Sequence, residues 1–474
     1  MKPRPNILLL FTDEQKLSEL SAYGPTPCVT PNLDRLAAES TIFENAYTSC
    51  PLCSPARATI MTGLYPHGHG VTCNTEDIGC NVSDLPDHPN LLSRRLGQTG
   101  YVCGYTGKWH LGRSHPRHFG TEKPRALPSN LGFVGQDFPG HGGGGFHYPA
   151  YQAYLKERGL RHSVRGEEDM HPLPYGVLDG PVESTVPYFL AEHTISLIDQ
   201  FRKGEAPFFI WHNFWGPHQP YYAPKRYLEL YDSVTIPEWA NYDHDAGTGN
   251  GPQALRRHPR QDTVTWAEWE HMIKHKYAFM TLIDEQIGRI LDHLRVAGLL
   301  DNTVVIFTAD HGDHLGCHGG LIDKGFSHYE ETHRIPLFLR TPGSSPVRVA
   351  DYASLADVYP TVLDLARTDG PDNVHGRALT SPNRPPRNYV VTEFHGLNNI
   401  TLTMRTIRQG AIKYGYTAGS RHELYDLASD PHEIRNLIDD PARRPELLRL
   451  RRLLLEWMQE TGDPLAGQFG RYVQ

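Results

Sequence analysis

Asn6-Ile-Leu-Leu-Leu-Phe-Thr12, running straight into Asp13-Glu14-Gln15, is the stretch on which the fold turns. An unbroken apolar run of this length, without polar alternation, predicts a strand buried on both faces, as in a parallel sheet covered by helices on each side. Gly100–Thr106, Pro207–Asn213 and Thr303–Ala309 repeat the pattern, each a compact apolar run followed by polar residues. Between them, Pro31–Ala38, Pro89–Leu96, Tyr188–Phe201 and Trp266–Ala297 carry helical periodicity. Strands alternating with helices predict an α/β fold with a large, mainly parallel or mixed sheet flanked by helices. In such sheets chemistry gathers at the carboxyl ends of the strands, where Asp13-Glu14 and Asp310-His311 stand.

The rhythm changes near Thr368–Asn373, after the helix-like Leu355–Ala366. Strand-like runs at Tyr389–Thr392, Thr401–Ile407 and Gly410–Tyr416 precede a helix with Leu447, Leu450, Leu454 and Trp457 on one face. Two domains are expected: 1–370, and a smaller α+β unit over 371–474 with an antiparallel sheet and a terminal helix. Ser114–Asp179, which includes Gly140-His-Gly-Gly-Gly-Gly-Phe-His147, and Trp239–Thr263 are rich in Gly, Pro, His and Arg and read as long surface loops.

Across 474 residues, 46 basic and 54 acidic side chains leave a net charge of −8, which argues against a general nucleic-acid-binding surface. No apolar stretch approaches the roughly 18 residues of a membrane span. The N-terminal run is too short for a signal-peptide core, so a soluble, cytoplasmic chain without a membrane anchor is expected. Seven scattered cysteines argue against a disulfide framework. Cys50 and Cys53 form C-x-x-C, but no second half completes a zinc quartet.

Cys53-Ser-Pro-Ala-Arg57 decides the chemistry. With 7 Cys and 38 Pro in the chain, fewer than about 0.06 copies of C-x-P-x-R are expected by chance. Pro55 suits the first turn of a helix running through Ala56–Thr62, which puts Cys53 at its N-terminus. Backbone N–H groups there, with Arg57 one turn on, make an anion site. The hard oxygen donors and the imidazole of Asp13-Glu14 and Asp310-His311 could converge on a divalent cation.

These features together resemble the type I sulfatases, the formylglycine-dependent branch of the alkaline-phosphatase superfamily. Cys53-Ser-Pro-Ala-Arg57 with Ala58-Thr-Ile-Met-Thr-Gly63 is similar to their maturation signature. Pro31-Asn-Leu-Asp-Arg-Leu36, Gly107-Lys-Trp-His-Leu-Gly112, Pro217-His-Gln-Pro220 and Asp310-His-Gly-Asp313, leading to Lys324 and Arg334-Ile-Pro336, match in the expected order. Leu424-Tyr-Asp-Leu427, Asp430-Pro431 and Asn436-Leu437 resemble the closing motif. The resemblance implies that a separate maturation enzyme oxidises Cys53 to formylglycine, whose hydrate attacks sulfur. The resulting sulfate ester collapses because its carbon bears a second hydroxyl. It further implies one divalent metal ion held by Asp13, Glu14, matured Cys53, Asp310 and His311. Arg57 and His110 would orient the nucleophile, Lys108 and Lys324 would bind sulfate oxygens, His218 would serve the leaving group, and Asn74 would join the oxyanion shell.

Two departures stand out. Glu14 occupies a position where relatives often have Asp, so it either coordinates or swings out and leaves the place to Gln15 or water. His311 stands where Asn is common. Calcium is the ion the resemblance implies, and the His311 nitrogen keeps manganese and magnesium open. The substrate expected is a small sulfated saccharide or aryl sulfate, shaped by the two long loops. Arg256, Arg257, His258 and Arg260 are candidates to meet a second acidic group, and Trp211, Trp215, Tyr221 and Tyr222 to stack on a ring. The rival is a phosphonate monoester or phosphodiester hydrolase of the same superfamily, against which Lys108 and His110 speak, since that subgroup tends to carry hydroxyl residues there. A non-catalytic sulfated-glycan binder would need a lost catalytic position, and all are filled. A homo-oligomer is left open.

Overall fold

The computed structural model describes residues 4–113, 126–138, 141, 143–170, 173–244, 251–381 and 385–473. Asn6–Asp13 is a strand with every residue buried. It lies inside an eight-stranded sheet ordered Val347–Ser354, Thr41–Tyr47, Leu337–Arg340, Thr303–Ala309, Asn6–Asp13, Phe208–Pro217, Val102–Gly107, Val134–Gly135. Its two neighbours, Thr303–Ala309 and Phe208–Pro217, both run parallel to it. Leu337–Arg340 runs antiparallel to both of its own neighbours, so the sheet is mixed.

The unbroken apolar run has a direct packing reason. Leu8 and Leu10 enter one core with helices Val186–Phe201 and Trp266–Val296. Ile7, Leu9 and Phe11 enter a second core, on the opposite face, with helices Cys53–Thr62, Leu92–Gln98 and Val358–Leu365. Each such side chain contributes about 1.5–3 kcal/mol by leaving water, so neither face tolerates a polar alternation. The long helix Trp266–Val296 starts from a capping box in which Thr265 and Glu268 satisfy each other's backbone N–H groups.

The C-terminal region forms a four-stranded antiparallel sheet in the order Val390–Leu397, Ile400–Gln409, Ile412–Thr417, Glu423–Asp426. Helix Arg444–Thr461 lays Leu447, Leu450, Leu454 and Trp457 into a core with Ile407, Tyr414 and Tyr416.

The loop reading of Ser114–Asp179 is corrected over part of its length. Pro149–Glu157 is a helix, and Ser163–Met170 and Leu173–Asp179 pair antiparallel in a three-stranded sheet completed by Tyr221–Pro224. Residues 163–166 are exposed or half-buried, so pairing rather than an apolar face holds this part of the strand. Residues 114–125, 139–140, 142 and 171–172 of that stretch, and 245–250 of the other, lie outside the described residues. Among the described residues no helix is long and apolar enough to cross a membrane.

Candidate active site

The site is built where the central strands end. Asp13 is the last residue of its strand, Asp310 and His311 follow Thr303–Ala309, and Lys108 follows Val102–Gly107. Gly107 has φ +90°, and a Cβ there would stand 1.7 Å from the Asn213 carbonyl oxygen, so only glycine lets the chain turn against the next strand. Helix Cys53–Thr62 runs up to the same edge, with Pro55 inside its first turn as the sequence predicts. Its start is fixed from outside: Ser54 N donates to Asn74 Oδ1 at 3.3 Å, and Thr75 N to Ser54 Oγ at 3.3 Å.

Cys53 Sγ lies 3.3 Å from His311 Nε2 and 3.9 Å from Asp13 Oδ1. The donor atoms of Asp13, Cys53, Asp310 and His311 all fall within 4.8 Å of one another, and all four residues are buried. His311 Nδ1 is 2.9 Å from the Gly312 carbonyl oxygen, to which it donates, so Nε2 turns its lone pair toward the group. Arg57 Nη2 bridges Asp13 Oδ2 at 2.8 Å and Asp310 Oδ2 at 3.2 Å. Its Nη1 donates to Asn213 Oδ1 at 2.8 Å and to the Lys108 carbonyl at 2.9 Å. The Lys108 ammonium also pairs with Asp13 Oδ2. Burial pushes the Asp13 carboxyl up, but Lys108 and Arg57 more than reverse this and hold it well below the usual carboxylate range. Two carboxylates, an imidazole nitrogen and a sulfur make a donor set that fits a divalent cation.

A second group of side chains stands beside the first. Glu14 takes φ +58°, an uncommon conformation for a non-glycine residue, and its N–H donates to Asp310 Oδ1 at 3.0 Å. The turn sends its carboxyl away from Asp310, to Lys324 Nζ at 3.2 Å and His218 Nε2 at 3.1 Å. Burial, with Asp323 nearby, raises the Glu14 carboxyl well above its usual range. Burial would lower Lys324, but Asp323, 3.1 Å away, and the neighbouring Cys53 and Glu14 raise it well above its usual range. Burial and Lys324 together push His218 well down. On the other flank, His110 Nε2 meets Glu76 Oε2 at 2.9 Å. Burial would lower the imidazole, but Glu76 and the Cys53 thiol raise it. In turn, the His110 partner outweighs desolvation and brings Glu76 to about 2.

The family profile described as Sulfatase matches residues 5–368. The chain belongs to the sulfatase family. A second profile, for the C-terminal part of N-sulphoglucosamine sulphohydrolase, matches residues 316–460 of the sulfatase chain. An uncharacterized sulfatase of Escherichia coli, YidJ, is 29% identical over 97% of this chain and 88% of its own. An arylsulfatase of Clostridium perfringens is 27% identical over 96% and 95%. Among solved structures, a phosphonate monoester hydrolase of Agrobacterium radiobacter superposes with a TM-score of 0.80 at 25% identity, over 97% of this chain and 96% of that one.

Every residue predicted for the sulfatase site stands in or beside these two groups. Glu14 has its carboxylate oxygen within 4.8 Å of the donor atoms of Asp13 and His218, so a place beside the ion stays open to it. Gln15 does not fill the place, since its Oε1 accepts from Thr12 Oγ1 at 2.6 Å. Asn74 reaches the site through the start of helix Cys53–Thr62. Three partners escape a reading of the sequence. Asn213 and Glu76 hold Arg57 and His110, and the His141 ring sits between those of His110 and His218, with centroids 5.0 Å from each. Their signals are faint: a polar residue closing an apolar strand, an acid two residues after Asn74, and one His in a Gly- and His-rich stretch. The proposed substrate contacts divide. Trp211 and Tyr221 are core residues, whereas Trp215 and Tyr222 line a cleft shared with His218. Arg256 pairs with Asp323 and Arg257 with Asp262, so both guanidinium groups are already engaged.

Proposed function

We propose that the protein is a sulfuric-ester hydrolase whose nucleophile is the formylglycine hydrate derived from Cys53 by a maturation enzyme. The observation that carries this reading is the convergence of Cys53 with Asp13, Asp310 and His311 within 4.8 Å, flanked by Arg57 and Lys108. A divalent ion, calcium in the first instance, held by these residues would neutralise ester oxygens and raise the acidity of the nucleophilic hydroxyl. Asp13 and Asp310 are balanced by Arg57 and Lys108, so an added cation leaves a positive surplus that suits an anionic ester. Lys108 and Lys324 hold sulfate oxygens as charge builds on them. Arg57 and His110 orient the nucleophile, Asn74 fixes the helix that carries it, and His218 stabilises the leaving oxygen. Glu14 pairs with His218 and Lys324 and stands close enough to Asp13 to join it at the ion. The same reading divides the chain at residue 370. The second unit supports the first, for Glu393 N donates to the Ser49 carbonyl at 2.8 Å, just ahead of the nucleophile helix.

A phosphonate monoester hydrolase is the second reading, favoured by the structural match at TM-score 0.80. Lys108 and His110 at the site favour the sulfate monoester. A panel of aryl sulfate, sulfated monosaccharides and aryl phosphonate, assayed with protein made alongside the maturation enzyme, separates the two. Sulfate esters should lead in kcat/KM, and a lead for the phosphonate would reverse the assignment.

A further inference from the structure

Helix Trp266–Val296 lays Met272, Ile273, Met280 and Ile283 into the core that Leu8 and Leu10 share, all four out of contact with solvent. Lys276 stands in the same stripe, one turn from Met272 and from Met280, and is as fully buried as they are. An apolar side chain would fill this position without electrostatic cost, whereas a buried ammonium is heavily penalised unless oxygens surround it. Three oxygens do. Lys276 Nζ donates to Asp313 Oδ2 at 2.5 Å and to the Glu14 carbonyl oxygen at 3.3 Å, and Glu19 Oε1 stands 3.3 Å away. Burial would lower the ammonium, but Asp313 and Glu19 outweigh it, so the group is charged at neutral pH.

Two of these oxygens belong to the two turns that carry the candidate metal ligands. The parallel ladder between Asn6–Asp13 and Thr303–Ala309 pairs residues as far as Thr12 with Ala309, and a last backbone bond runs from Asp310 N to the Thr12 carbonyl at 3.2 Å. Past that point the sheet no longer sets the spacing of the two chains, and other ties must. Glu14 follows Asp13 directly, with its N–H on Asp310 Oδ1 and its carbonyl on Lys276. Asp313 lies two residues after His311. Its Oδ1 accepts from Leu315 N at 2.9 Å, and its own N–H donates to the Glu331 carbonyl at 3.1 Å. Gly312 is pressed against the same neighbour, where a Cβ would stand 1.9 Å from the Glu331 carbonyl oxygen. Glu331 thus holds one side of this turn, and Lys276 holds the other through the Asp313 carboxylate.

We propose that Lys276 is a positioning residue of the metal centre: from the helix it ties the turn after Asp13 to the turn after His311, and so sets the spacing of the donor atoms on Asp13, Asp310 and His311. The proposal rests on reading these residues as metal ligands in a sulfuric-ester hydrolase. The oxygens around the ammonium are a carbonyl and two carboxylates outside the group around Cys53, so Lys276 acts through the chain rather than on the reacting atoms. A buried cation in this place has one other way to act, and the two have opposite signs. As a nearby positive charge, Lys276 would repel an ion, and its removal would tighten binding. As a tie, it keeps the ligands in register, and its removal loosens binding by the roughly 10–100-fold typical of groups that hold metal ligands from behind.

The test titrates calcium chloride, and in a second arm manganese chloride, into chelator-treated full-length protein by calorimetry. Wild type is compared with Lys276→Met and with Lys276→Met/Asp313→Asn, each checked by thermal melting for an intact fold. The double variant removes the ammonium together with its nearest carboxylate, and it decides the matter if the single variant fails to fold. Both variants should raise the Kd about 30-fold, and the double should cost little more than the single, because both break one tie. Calcium in excess should restore sulfate-ester turnover to matured Lys276→Met, which damage to the fold alone would not allow. A Kd unchanged or tightened in a folded variant overturns the proposal. A wild type that binds neither ion overturns the metal reading and the proposal with it. Weakened binding in the variants of a matured protein that hydrolyses no sulfate ester keeps the tie and overturns the sulfuric-ester reading.

Discussion

Two buried clusters in this molecule have nearly the same composition and opposite wiring. Around Cys53, two carboxylates, one imidazole, a thiol and Arg57 come together. Against the C-terminal sheet, Glu393, Asp463 and His67 also bring their donor atoms within 4.8 Å of one another, beside Arg405. In the second cluster every strong donor is spent. Arg405 Nε reaches Asp463 Oδ2 at 2.8 Å and Glu393 Oε1 at 3.7 Å, and both ring nitrogens of His67 are taken, by Glu393 at 2.5 Å and the Thr461 carbonyl at 3.0 Å. In the first, Arg57 also bridges two carboxylates, but His311 keeps Nε2 turned toward Cys53. Saturation marks a structural joint, and the His311 nitrogen turned toward Cys53 sets the first cluster apart. Residue type alone does not separate them.

The comparison breaks most sharply at Cys53. Cys53→Ser should cut sulfate-ester turnover by about 10⁴-fold or more while leaving the unfolding midpoint close to wild type. Arg405→Ala should do the converse. It leaves two buried carboxylates without their cation and should cost about 3–5 kcal/mol in denaturant unfolding, with kcat of the folded fraction nearly unchanged. A large loss of kcat with intact stability would assign the second cluster a part in catalysis.

Smaller effects sharpen the division between Asp310 and Glu14. Asp310→Asn should release the bound ion on dialysis and lower activity about 100-fold, whereas Glu14→Gln should keep the ion and lose no more than about tenfold. Equal metal loss in both, measured by elemental analysis, would make Glu14 a ligand on a par with Asp310. The smallest effect is a pH dependence of the joint. Burial lowers His67, but its contact with Glu393 raises it above 6.5 overall. Its contribution is therefore full below pH 6.5 and lost as pH rises through the folded value. Glu393 is desolvated too, yet Arg405, His67 and His395, whose Nε2 is 3.0 Å from Glu393 Oε2, hold it well below 4.5, so its contribution is lost only as pH falls through that low value. The stability gap between wild type and His67→Ala should narrow from pH 6 to pH 9, and a gap that widens would contradict the pairing.

Much of this architecture is legible in the amino-acid sequence, and the rest is hidden for identifiable reasons. Asn6–Asp13 and Thr303–Ala309 are readable because burial on both faces leaves an unbroken apolar run. Thr41–Tyr47 is not, since Glu44 and Asn45 interrupt it, and Leu337–Arg340 is too short to carry a period. The candidate site is readable where a motif carries the side chain, as at Cys53, Arg57, Asp13 and Lys108, which the fold brings together. It is illegible where backbone geometry decides. The direction taken by Glu14 follows from φ +58°, and the place of His141 from a glycine-rich stretch, neither of which leaves a periodic mark.

The most direct measurement is the mass of the tryptic peptide Leu36–Arg57, taken from protein made with and without the maturation enzyme and set beside the sulfate-ester hydrolysis rate of each sample. The formylglycine mechanism predicts that the rate rises in proportion to the fraction of peptide carrying the aldehyde or its hydrate. Equal rates from a sample in which Cys53 is entirely thiol would contradict it.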